Sequence, residues 1–90
     1  MIRKQGSKLV LPETVLIEAV ATRSSAGWDA AAIDAQSKRV IALAFAASSE
    51  DAGVVIDRVS KLAADNLIAS GWRYAGADDV GRRLYVRGAR

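Results

Sequence analysis

The strongest periodicity in the chain lies between Ser48 and Gly71. Ala52, Val55, Ile56, Val59, Leu62, Ala63 and Leu67 recur at i, i+3, i+4 and i+7 spacing, which predicts an amphipathic helix of about five turns. Ser48 followed by Asp51 reads as a capping box with aspartate in the glutamate position, and Glu50 and Asp51 suit the positive end of the helix dipole. Gly71 supplies the stop. Beyond it the period changes. Trp72 and Tyr74 alternate with Arg73, Ala75 to Gly81 carries turn chemistry, and Leu84 and Val86 alternate with Tyr85 and Arg87. This predicts two short antiparallel strands joined by a glycine- and aspartate-rich loop.

Upstream the pattern reads less cleanly. Pro12 fits the first turn of a helix, and Leu16, Ile17 and Val20 recur at helical spacing up to Arg23, so a helix is expected over 13–23. Its β-branched Val15, Ile17 and Val20 leave a strand open as the alternative. Ser24 to Gly27 reads as a loop. Asp29 then suits the cap of a second helix opening with Ala30, Ala31 and Ala32, the strongest helix formers. Over Val40–Ala47, Ile41, Leu43 and Phe45 alternate with alanines at period two, yet the alanine content favours a helix over 36–47. Residues 1–10 show neither period and read as a basic arm leading into one domain over 11–88.

Helices followed by a long amphipathic helix and then a hairpin form the layout of a three-helix winged helix-turn-helix, an α+β, mainly helical fold with a C-terminal β-hairpin. Residues 55–72, with Leu67-Ile68 ahead of the first wing strand, resemble the recognition helix of MarR-type transcriptional regulators. Asp78 to Val86 resembles their aspartate-and-arginine wing. The resemblance covers roughly 48–87. It implies that Arg82 or Arg83 is the wing contact and that Arg58 and Lys61 project from the recognition helix. The wing spacing is one residue longer than the family's, and its flanking dimerisation helices have no counterpart, so the likeness is to the winged-helix core. If 14–22 and 39–46 are strands instead, the fold becomes a small α+β sandwich, one helix on an antiparallel sheet.

Composition narrows the chemistry. The 90 residues contain no histidine and no cysteine, which removes the usual general base, the thiol nucleophile, disulfides and the nitrogen and sulfur ligands of zinc. No two carboxylates or serines fall in a pattern that builds a site, so the expectation is a non-enzyme without cofactor or metal. A hydrophobic fraction of 51% with 26% charged residues and no long apolar run fits a globular chain that is neither disordered nor membrane-spanning. Pro12, Glu13 and Glu18 interrupt the apolar stretch that a signal peptide would need, and the cysteine count suits the cytoplasm.

The net charge of +3 is unevenly placed. Arg3, Lys4 and Lys8 make the first stretch basic, and Arg73, Arg82, Arg83, Arg87 and Arg90 outweigh Asp78 and Asp79 in the last. Between them Glu50, Asp51, Asp57 and Asp65 outweigh Arg58 and Lys61. Basic ends around an acidic centre predict phosphate contact by the arm and the wing. The expected DNA-binding residues are therefore Arg58, Lys61, Arg73, Arg82, Arg83 and Arg87, with Arg3, Lys4 and Lys8. The expected role is a small transcriptional regulator or replication accessory factor on duplex DNA. The alternative is a protein-interaction module or inhibitor of phage or plasmid type, docking its arginine-rich hairpin on an acidic surface. Either is compatible with a homodimer. Trp28 and Trp72 are expected to pack as anchors.

Overall fold

The computed structural model describes residues 13–88. Their order is β1 (Glu13–Ser24), β2 (Gly27–Asp34), β3 (Val40–Ala47), α1 (Ala52–Ala69), β4 (Arg73–Ala77) and β5 (Arg83–Arg87). The strands form one antiparallel sheet in the order β3-β2-β1-β5-β4. The α1 helix lies on one side, mainly over β3, β2 and β1.

This overturns the three-helix winged helix-turn-helix. The expected helix over 13–23 is β1, the alanine segment after Asp29 belongs to β2, and 36–47 becomes a turn followed by β3. Only one helix is found among the described residues, and the helix pair that would present it to DNA is not there. The architecture is instead a small α+β domain, one helix on an antiparallel sheet. The arm over 1–10 lies outside the described residues.

Packing explains why propensity lost. Ala30 and Ala32 of β2, with Ala42 and Ala46 of β3, are buried beneath the buried face of α1, formed by Val55, Val59, Ala63 and Leu67. Small side chains let the helix backbone approach the sheet, so alanine serves here as a spacer and its helical preference is overridden by tertiary context. Ile17 and Tyr85 complete the core.

The α1 helix and the C-terminal hairpin form where the periodicity places them. The N-cap is Asp51, not Ser48, and its side chain accepts from the Val54 amide at 3.2 Å. Ser70 is the C-cap, and Gly71 follows at φ +90°, the left-handed conformation in which glycine ends helices. Ser25 and Ala26 alone connect β1 to β2, with Ser24 paired to Gly27. At Gly27, φ is +146° and a Cβ would collide with the Ala46 carbonyl oxygen, so the position requires glycine.

The β2 strand ends on the buried carboxylate of Asp34. Its Oδ1 accepts from the amides of Leu16 and Gln36, and its Oδ2 accepts from the Ser37 hydroxyl at 2.7 Å. One side chain therefore ties the β2–β3 turn to β1. Burial pushes its pKa up, but the bonds from Ser37, Leu16 and Gln36 outweigh that and hold it below the usual carboxylate range.

Candidate functional site

Alternation along a strand sends every second side chain to the face away from α1. On β1 these are Thr14, Leu16, Glu18, Val20 and Thr22, with Asp29, Ala31 and Ile33 on β2, Leu43 and Phe45 on β3, and Leu84 and Val86 on β5. The register sets Val20, Ala31 and Leu43 side by side in one row, and pairs Leu16 with Leu84 in another. Leu43 is 70% exposed, Val40 55%, Phe45 51% and Val20 43%. Among the described residues nothing covers this face. Beneath the helix, β2 and β3 thus contribute mainly alanines, while Val20, Ile33, Leu43 and Phe45 stand on the open side. Apolar side chains exposed singly are ordinary, but a contiguous exposed apolar face is where interaction surfaces are found.

Sheet edges are a second place where proteins pair. The β3 edge carries no charge from Val40 to Ala47, yet α1 side chains occupy it. Arg58 Nη1 donates to the Phe45 carbonyl at 2.6 Å, and Asn66 Nδ2 donates to the Ile41 carbonyl at 3.2 Å. Glu50 holds the Arg58 guanidinium at 3.6 Å. The opposite edge, β4, is five residues long and its register breaks between Tyr74 and Gly76.

The basic residues read as DNA contacts do not converge. Arg58 lies at the β3 edge, engaged as just described. In the β4–β5 loop, Arg82 Nε donates to Asp78 Oδ2 at 2.7 Å, while Asp78 Oδ1 accepts from the Val80 and Arg82 amides. Partial burial raises the Asp78 carboxyl and the bonds from Arg82 and Val80 outweigh it, so its pKa is lowered. Arg87 pairs with Glu13 at 2.8 Å, donates to the Ser70 carbonyl and lies over the Trp72 ring at 4.5 Å. It does not pair with Asp79 across the hairpin. Arg73, Arg83 and Lys61 have no ion pair among the described residues, but Arg73 shares the open sheet face with Val86, Arg83 points to the helix side with Tyr85, and Lys61 is on exposed α1. Arg3, Lys4 and Lys8 lie outside the described residues.

Both tryptophans act as anchors. Trp28 packs against the core and donates from Nε1 to the Glu50 carbonyl at 2.8 Å, fixing the chain just ahead of α1, with Arg23 over its ring at 5.2 Å. Trp72 packs against the core beneath Arg87.

A cleft of about 320 Å³ separates α1 from β5 and the β4–β5 loop. Buried Ile17 and Tyr85 line it together with Glu18, Asp57, Arg82 and Arg83. Asp57 stands on the helix side of this cleft, the Glu18 side chain belongs to the open face, and Arg82 is already engaged by Asp78, so little free cationic charge is left for phosphate recognition. Among the described residues no cluster of metal-ligating side chains occurs, and no helix is long and apolar enough to cross a membrane. The open face is the surface that residue-by-residue reading missed; its signal was the period-two alternation of Leu43 and Phe45 with alanines. Compared with family models, with curated proteins and with solved structures, the chain matches none.

Proposed function

We propose that this chain is a small, non-enzymatic protein-interaction module that binds a flat, apolar protein surface through the open face of its sheet. One observation carries the reading: Leu16, Val20, Ile33, Leu43, Phe45 and Leu84 stand on the side of the sheet that α1 does not cover. Exposed apolar surface of this extent costs free energy in water and is relieved by burial against a partner. The face carries few charges, so its counterpart is apolar rather than acidic, and the arginine-rich hairpin is not the main contact.

Site-specific photo-crosslinking tests this. A photoreactive residue at position 43 is expected to give discrete protein adducts in cells expressing the chain, and one at position 61, on the exposed side of α1, is expected to give none. Equal labelling from both positions sinks the reading.

Duplex DNA is the second reading, favoured by Lys61, Arg73 and Arg83, which keep unpaired charge among the described residues. It predicts salt-dependent anisotropy on duplex DNA that Arg73→Ala with Arg83→Ala weakens. Binding that the double substitution leaves unchanged removes those two arginines from the contact.

A further inference from the structure

We infer that the occupant of the open face is a second copy of this chain, packed sheet to sheet about a two-fold axis; this rests on the interaction-module reading above. The first argument is the thinness of the core. The largest side chains that are completely buried are Val55 and Val59, and the sheet beneath them contributes mainly alanines. A domain this small buries a low fraction of its apolar surface by itself. A second layer on the open face would enclose Leu43, Phe45 and Val20 and convert a two-layer domain into a four-layer one, helix, sheet, sheet, helix.

Area is the second argument. Five strands about 4.8 Å apart and some seven residues long at about 3.3 Å each make a face of roughly 500 Å² before side-chain relief. That footprint lies at the low end of the ~800 Å² per partner typical of stable complexes, which fits a weak, concentration-dependent dimer. A two-fold contact also asks for no other partner, because each copy presents the same apolar surface to the other.

The third argument excludes the competing mode. Two copies could join β3 to β3 and extend the sheet, but Arg58 and Asn66 already occupy the outward carbonyls of Phe45 and Ile41. An incoming strand would have to displace the Arg58 and Asn66 side chains that lie along this edge. The short, irregular β4 edge offers a poor template. What remains open to a second copy is the face.

Sedimentation equilibrium on the full chain, from about 1 to about 200 μM, tests the inference. The expected result is a mass twice that of the chain at the upper end, falling at least tenfold in association constant for Leu43→Lys with Phe45→Lys. Both side chains are more than half exposed, so the variant is expected to keep the wild-type circular dichroism; Val20→Lys offers an independent variant on β1. A chain that stays monomeric throughout overturns self-association. If that monomer also binds the apolar dye anilinonaphthalene sulfonate and Leu43→Lys abolishes the signal, the interaction-module reading stands without it. A dimer that survives the open-face substitutions and dissociates only when β3 edge residues are changed overturns both.

Discussion

The two faces of one sheet are built from the same strands by opposite rules. Under α1, successive inward positions of β2 and β3 are alanines, and the helix is close enough that Ala32 has no exposed surface and Ala46 only 1%. On the other side the intervening positions include Val20, Ile33, Leu43 and Phe45, with nothing above them among the described residues. Volume is therefore constrained on the covered side and free on the open side. Adjacent residues of the same strand should respond to the same substitution with opposite outcomes.

The largest effect expected is at that contrast. Ala32→Leu must place three extra carbons between β2 and α1, and is expected to destabilise by about 3 kcal/mol in urea unfolding, the upper part of the overpacking range. Ala31→Leu, one residue away on the open face, is expected to stay within about 0.5 kcal/mol when both are measured at about 1 μM, where the chain is monomeric. Equal costs would mean that the faces are not as different as their burial indicates. Next comes Asp34, which joins the covered layer to the β2–β3 turn. Asp34→Ala leaves the Leu16 and Gln36 amides and the Ser37 hydroxyl without their acceptor, a loss of about 2 kcal/mol in the same measurement. Because the folded pKa of Asp34 is lowered, its contribution is fully present above the unfolded carboxylate value near 4. It is lost as pH falls through the folded value. Wild type should therefore lose stability on acidification below about pH 4 more steeply than Asp34→Ala.

Smaller effects should come from the edge and the loop. Arg58→Ala removes a partly exposed ion pair and one hydrogen bond, about 1 kcal/mol or less. Its clearer consequence is uncapping β3, read as concentration-dependent light scattering on standing that wild type does not show. Arg82→Ala should change stability least, below about 0.5 kcal/mol, since its partner Asp78 is still held by the Val80 and Arg82 amides. A larger loss there would make the β4–β5 loop a structural element on a par with the turn at Asp34.

These contrasts also explain what could be read from the residues alone. The α1 helix is legible because Val55, Val59, Ala63 and Leu67 must all face one surface, and the terminal hairpin because residues alternate at period two on either side of a glycine- and aspartate-rich turn, although Ala75, Gly76 and Ala77, read as turn, belong to β4. The first three elements were misread for a common reason. In Ala30, Ala31 and Ala32 the intrinsic preference for helix is real, but the size of the residue was selected by the distance to α1, a constraint belonging to a segment more than twenty positions away. Over Val40–Ala47 the period of two and the helical preference of alanine point opposite ways, and the strand shows that the pattern outweighs the composition there. The open face could not be recognised as open until the single helix had been placed on the other side. The charges misled differently. Arg58, Arg82 and Arg87 count toward a basic surface, yet each is engaged by a carboxylate, that of Arg87 from the far end of the chain at Glu13.

The order of the strands has a consequence for how the molecule comes into being. The β1 strand is central, but one of its two neighbours, β5, is made last: Glu13 is joined to Arg87 across 74 residues of sequence. During synthesis β1, β2 and β3 emerge as a meander able to pair immediately, whereas the flank of β1 that will receive β5 stays bare until the C-terminal hairpin has left the ribosome. Closing so long a loop is entropically slow compared with forming the meander. For that interval the nascent chain exposes an unpaired central strand in addition to its apolar face, which makes the time before β5 docks on β1, rather than the finished fold, the stage at which it is most vulnerable to aggregation.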